Sequence, residues 1–236
     1  MGHAFGKAGY KVWITDVDDG ALDDAPKEWR KSNVDVSDEP AMQKLFQDIK
    51  QEWGGLDTLC ANAGTKGPTA AVEDMPLDGW RACLSVTLDG TFLAAKYAAP
   101  LMKDAKAGQI LITSSTAGIH GYPHRAPYAA AKWAVIGLMK TLSMELGPFG
   151  IRANAICPGS VEGPRMERVL EAEAETTGKT RDEIYAGYAS GTSLKTWVRA
   201  EDIANMAVFL ASDGARFVSG QVISVDGDTF NPLASA

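Results

Sequence analysis

With 236 residues, 45% of them hydrophobic and 22% charged, the chain has the make-up of a globular protein, one large domain or two small ones. Thirty acidic against 23 basic residues leave a net charge of −7, and no basic patch is available to neutralise phosphates, so nucleic acid and anionic membrane surfaces are excluded as partners. No apolar run reaches about 18 residues, no basic and apolar leader opens the chain, and Cys60, Cys83 and Cys157 lack metal spacing; free thiols in a cytoplasmic protein are expected.

In chain order, residues 11–16 read as a strand. Ser37 is expected to cap a helix whose acidic first turn, Asp38-Glu39, precedes Met42, Leu45, Phe46 and Ile49 at helical spacing. Residues 56–60 form the next strand, which ends in the turn Asn62-Ala63-Gly64. A long helix near 80–103 leads to a buried strand over 109–114, and Ser115 follows at its end. The next helix opens at Pro127, carries Ala134, Leu138, Leu142 and Leu146 as a stripe of period four, and stops at Gly147-Pro148. A strand over 151–156, a helix over 201–211 and a strand over 222–225 complete the alternation. The expected fold is therefore α/β: one domain over 1–236, built as a doubly wound parallel sheet with helices on both faces. Residues 164–198 break the rhythm with a charged helical stretch followed by a polar, glycine-containing section.

Tyr128 and Lys132 stand four apart, on one face of the helix after Ser115. A free phenol keeps its proton up to about pH 10, and a neighbouring ammonium favours the phenolate. Ser115, at a strand end, is placed to hold a carbonyl or alcohol oxygen beside that phenol. The three make an acid/base set for oxidising an alcohol or reducing a ketone. His120 and His124 are also four apart, but Pro123 lies between them and no carboxylate accompanies them, so no metal is expected.

Five phrases occur in a fixed order: Asn62-Ala63-Gly64, Ser114-Ser115-Thr116-Ala117-Gly118, Tyr128-x3-Lys132, Asn154-x-x-Cys157-Pro158-Gly159 and the run 220–227. From Gly2 to Gly227 the chain resembles the short-chain dehydrogenase/reductase family, and the resemblance implies a Rossmann-like dinucleotide-binding fold. It further implies that Tyr128 exchanges the proton, that Lys132 assists it while holding the nicotinamide ribose, and that Ser115 orients the reacting oxygen. Asp16 matches the acidic position for the adenosine ribose hydroxyls; a carboxylate there repels a 2′-phosphate and no arginine adjoins it, which implies NAD. Asp35 and Val36 resemble the pair at the adenine, and Asn62, Ala63 and Gly64 the turn beneath the cofactor ribose. After Pro158-Gly159, Val161 matches the residue whose backbone holds the carboxamide. His120 and Tyr122 match the wall of the substrate pocket, Arg165 and His120 are candidates to meet an acidic or hydroxylated substrate, and the segment 164–198 matches a lid over it.

The resemblance also implies a homotetramer, through a four-helix contact of the 80–103 and 127–146 helices and a second interface near 220–227. Three departures stand out. Thr87 replaces an asparagine that helps hold a relay water, and Gly163 replaces a threonine. Gly2 matches the last glycine of the family's glycine loop; the central first strand and the rest of that loop are expected from about 15 residues upstream of Met1, the alternative being a chain without that phosphate cradle. Two rival readings remain: an NADPH-dependent 3-oxoacyl carrier-protein reductase, and a catalytically silent oligomeric member acting as a binding or scaffold protein. Polyols, sugar acids, hydroxy acids and cyclic alcohols all remain open as substrates.

Overall fold

The computed structural model describes residues 1–163, 166–167, 169–171, 174 and 178–230. Along the chain run α1 (Gly2–Lys7), β1 (Trp13–Asp16), α2 (Asp19–Asp23), β2 (Arg30–Asn33), α3 (Glu39–Trp53), β3 (Thr58–Ala61), α4 (Leu77–Leu84) and α5 (Gly90–Ala105). They are followed by β4 (Gly108–Thr113), α6 (Ala126–Leu146), β5 (Ile151–Pro158), α7 (Arg181–Ser190), α8 (Ala200–Ala211) and β6 (Val222–Val225). Each strand pairing is parallel, within one pair β1-β2 and one quartet β3-β4-β5-β6.

The middle strands are apolar on both faces, as a sheet covered by helices on both sides requires. Period two then divides them between two cores. Ile110 and Ile112 point into a core with Met42, Phe46, Met102, Val135 and Met139 from α3, α5 and α6. Leu111, between them, points the other way, to Phe5 of α1 and Ile203, Ala207 and Leu210 of α8.

Several expectations need correction. Asp38, not Ser37, caps α3: its Oδ1 accepts from the Ala41 amide at 3.1 Å. Ser37 instead donates its hydroxyl to Asp35 Oδ1 at 2.7 Å. The long helix starts at Leu77 and is interrupted by a π turn, Ser85–Asp89, between α4 and α5. On α6 the core face is Ala131, Val135, Met139 and Leu146, while Ala134 and Leu138 are only half-buried. Steps of four residues drift about 40° each around a helix of 3.6 residues per turn, so a strict four-residue stripe cannot stay on one contact face.

A gap separates the pair from the quartet. The Val12 and Asp16 carbonyls accept from Arg30 and Val34, so Trp13 and Thr15 turn their main-chain groups away from β2. Likewise the Asp57 carbonyl accepts from Gln109, which turns Thr58 and Cys60 away from β4. Between these two free edges lies a cavity of about 1430 Å³ that continues to the carboxyl ends of the strands.

Candidate active site

In open parallel sheets, ligands sit beyond the carboxyl ends of the strands, where helices and loops diverge. The cavity reaches that end. Its walls include Gly2, Asp16, Asp35, Val36, Asn62, Ala63, Gly64, Pro158 and Val161, so nine of the expected cofactor residues share one space. Ser115, Tyr128 and Lys132 lie just past it, joined to it through Thr113 and Gly64.

Lys132 is 4% exposed, and its Nζ donates to the Thr113 carbonyl at 2.7 Å. That ammonium is 5.8 Å from the Tyr128 ring centroid. The Ser114 hydroxyl donates to the Lys132 carbonyl at 2.8 Å and so fixes α6 to the end of β4. Gly118 allows this approach, because a Cβ there would stand 2.3 Å from Ser114 Oγ and 2.7 Å from the Lys132 oxygen. The Ser115 hydroxyl oxygen accepts from the Ala117 amide at 3.1 Å, which orients it and still leaves its own proton to donate.

Thr87 lies in the π turn and is 1% exposed. Its Oγ1 accepts from the Thr65 amide at 3.4 Å. A Cβ on Gly64 would come within 3.5 Å of both Thr87 Oγ1 and Lys132 Nζ, so the Asn62–Ala63–Gly64 turn, Thr87 and Lys132 converge on one spot. A π turn inside an α-helix is a frequent mark of a functional site.

At the other end of the cavity, Asp16 is exposed. Its Oδ1 accepts from the Val17 and Asp18 amides at 2.8 and 3.1 Å. The second oxygen makes no hydrogen bond among the described residues. Asp35 is committed to its own turn: the Ser37 hydroxyl and amide both donate to it and hold its carboxyl below the usual range. Val36 packs on Gly90, where a Cβ would meet Val36 Cγ2 at 2.6 Å.

Other expected residues have structural duties. Gly159 lies against the backbone at Asp226, 2.7 Å from that residue's Cβ if it carried a side chain of its own. Asn154 is fully buried, donating to the Val218 carbonyl at 2.8 Å and accepting from the Gln221 amide at 2.9 Å, so it ties β5 to the approach of β6. Gly2 faces Trp29, whose ring carbons would be 2.7 Å from a Cβ. Val161 pairs in a short parallel bridge with Val198, which brings the two ends of the 164–198 segment together. The described part of that segment packs around Leu170, Ile184 and Trp197, with Tyr185 stacked on Trp197 at 4.6 Å.

His120 is half-buried and its carbonyl accepts from the Trp133 indole at 3.3 Å; Arg165 lies outside the described residues. Among the described residues no three His, Cys, Asp or Glu side chains gather as a metal site. The thiols are poor nucleophiles: burial pushes Cys60 up to about 12 and raises Cys83 and Cys157 as well.

One residue escaped the sequence reading. The Arg125 guanidinium lies 5.2 Å from the Tyr128 ring centroid and 5.6 Å from that of Tyr122. Its place three positions before Tyr128, on the same side of a nascent helix, was the available signal.

These residues fit a nicotinamide dinucleotide. A carboxylate with one uncommitted oxygen stands at one end of the cavity and an ammonium at the other.

A family model described as enoyl-(acyl carrier protein) reductase matches residues 1–227. The chain is 38% identical over 197 residues to trans-4-hydroxycyclohexanecarboxylate dehydrogenase of Sinomonas cyclohexanicum, covering 83% of this chain and 68% of that protein. It is 31% identical to (−)-trans-carveol dehydrogenase of Rhodococcus erythropolis, over 94% of this chain and 83% of that one. It is also 34% identical to a 3-oxoacyl-[acyl-carrier-protein] reductase of Thermotoga maritima, over 82% of this chain and 74% of that protein. Among solved structures, an NAD⁺-bound xylitol dehydrogenase superposes with a TM-score of 0.90 at 27% identity, covering 95% of this chain and 91% of the other.

Proposed function

The chain belongs to the short-chain dehydrogenase/reductase family of oxidoreductases, and from that premise we propose that it is an NAD-dependent secondary-alcohol dehydrogenase, or a ketone reductase in the reverse direction. The observation that carries this reading is the convergence of Lys132, Thr87 and the Gly64 turn beside Tyr128, at the mouth of a cavity that runs on to Asp16.

The bound nicotinamide ring supplies the hydride acceptor or donor. Tyr128 exchanges the hydroxyl proton of the substrate through its phenol oxygen. Lys132, held by the Thr113 carbonyl, presents a fixed positive charge to that phenol and to the cofactor ribose. Ser115 donates to the substrate oxygen and sets it against the tyrosine. Asp16 selects NAD: its uncommitted oxygen accepts from a ribose hydroxyl, and its charge repels a 2′-phosphate. In the same reading Asp35, Val36, Asn62, Pro158 and Val161 line the cofactor, and 1–236 acts as one domain with 164–198 as its lid.

Two of the relatives are named for ring alcohols, so cyclohexanol-type substrates are the first to test. A second reading, 3-oxoacyl carrier-protein reduction with NADPH, is favoured by the Thermotoga maritima relative and opposed by Asp16. We also place the protein in the cytoplasm as a homotetramer. Its support is the set of apolar side chains left on the two long helices, Phe92 at 48% and Trp133 at 52% exposed, beside the half-buried Ala134 and Leu138. Among the described residues no helix is long and apolar enough to cross a membrane.

The test is initial-rate kinetics with cyclohexanol, carveol and an acetoacetyl thioester, each with NAD(H) and NADP(H). Turnover of an alcohol with NAD is expected. Activity confined to the thioester with NADPH rejects the first reading in favour of the second, and tight NADH binding with no turnover of a broad alcohol panel favours a silent member.

A further inference from the structure

Arg125 joins three segments that the reaction needs in register. Its Nη2 donates to the Lys66 carbonyl at 2.9 Å, in the loop that continues from the Asn62–Gly64 turn. Its guanidinium lies within cation–π range of both Tyr122, on the loop after Ser115, and Tyr128 at the start of α6. Its Nε is buried and has no hydrogen-bond partner among the described residues. A buried donor left unpaired costs about 1–3 kcal/mol.

The surrounding contacts tighten the same junction. The Ala70 amide donates to the His124 carbonyl at 3.0 Å, and His124 itself has a positive φ of 60°. Gly67 approaches both Cys83 and Pro127, where a Cβ would stand 2.9 Å from the Cys83 sulfur and 3.5 Å from the proline ring. The 63–70 loop is thus fastened to the first turn of α6 on either side of Arg125.

We propose that Arg125 is a positioning residue for Tyr128: its guanidinium clamps the phenol ring and links it to the loop under the cofactor, so that seating the cofactor on Asn62–Gly64 fixes the direction of the tyrosine hydroxyl. A planar cation suits this role because it stacks on an aromatic face and still offers directed N–H groups at its edge. Lysine would keep the charge and lose both. The proposal rests on Tyr128 as the acid/base, and its test separates the two ideas.

In the full chain, Arg125→Ala and Arg125→Lys are compared with wild type. Nitration of Tyr128 by tetranitromethane, mapped by mass spectrometry, needs no turnover. The reagent attacks the phenolate, which a nearby cation favours, so rates are compared per phenolate after titrating each protein's phenol. Loss of the guanidinium's cover is expected to raise that rate at least about threefold in Arg125→Ala. Amide exchange in the 63–70 loop is expected to rise in the same variant. With an active alcohol, kcat is expected to fall by about 10- to 100-fold, as for a misplaced reacting group, with KM nearly unchanged. Millimolar guanidinium chloride restores part of that kcat in Arg125→Ala, and not in Arg125→Lys, whose side chain fills the site. Unchanged Tyr128 labelling, or a kcat loss that tracks melting temperature and resists guanidinium, overturns the clamp. Faster labelling in a protein that turns over no alcohol upholds the clamp and removes the dehydrogenase reading instead.

Discussion

Lys132→Met separates what the lysine does for the reaction from what it does for the fold. The side chain is 4% exposed and its Nζ is 2.7 Å from the Thr113 carbonyl. Methionine fills much of the same volume and offers no donor, so that carbonyl loses its partner at the end of β4. A buried acceptor deprived of its donor costs about 1–3 kcal/mol. In a chain of this length each kcal/mol lowers the melting midpoint by about 2–4 °C, so a fall of about 2–12 °C is expected. The same substitution removes the ammonium beside the phenol, and turnover should drop at least about 100-fold with weaker cofactor binding. Tyr128→Phe is the matched control. Its hydroxyl makes no hydrogen bond among the described residues, so turnover should fall as far while melting and cofactor affinity hold. Calorimetry, NADH fluorescence quenching and steady-state rates on both variants decide it. A Lys132→Met midpoint within about 1 °C of wild type would refute the bond to Thr113 as a structural tie. Equal losses of cofactor affinity in the two variants would refute the division of labour.

Asp16→Ala should narrow the gap between NAD and NADP in kcat/KM, and a wild-type protein that already prefers NADP shows that Asp16 has been misplaced. Light scattering at micromolar concentration should give the mass of a tetramer; a monomer rejects the helix-face assembly. The Glu39 carboxyl is held below its usual range by Lys96 and Tyr97. A depressed folded value stabilises above the unfolded value near pH ~4.3 and is lost as pH falls through the folded one. The melting difference between wild type and Lys96→Ala should therefore be largest near neutrality and close in acid. Joining an apolar strand and a glycine loop ahead of Met1 should raise both melting temperature and NAD affinity, because the free edges at Trp13, Thr15, Thr58 and Cys60 would gain partners. No gain in either would show that the gap does not take a strand.

The fold was legible where packing left a periodic mark. Ile110, Leu111 and Ile112 spell a strand buried on both faces, and the spacing of Tyr128 and Lys132 places two polar tips on one helix face. It was illegible where local chemistry offered equivalent choices. Ser37 and Asp38 are adjacent and equally good caps, and only the bond from Ser37 to Asp35 decides between them. Strand β2, Arg-Lys-Ser-Asn, has no apolar alternation because it lies at an edge. The π turn at Thr87 is a backbone property without a side-chain pattern, and the contacts of Arg125 with Tyr122 and the Lys66 carbonyl are ones that spacing along the chain does not reveal.

The gap between the two groups of strands also bears on time. A two-stranded unit is marginal on its own, and β1-β2 holds its place through α3 and through Trp29 against α1 rather than through the quartet. Its amides are expected to exchange with solvent well before those of β4 and β5, which lie in the densest packing. Asp16 sits on this less protected unit, whereas Lys132 and Ser115 are fixed to the quartet. On the proposed reading, a dinucleotide reaching from Asp16 to Lys132 would have to find them in register, and its apparent affinity would scale with the fraction of time that they are. On that reading, ligand contacts at Asp16 would act on the lifetime of β1-β2 as much as on recognition.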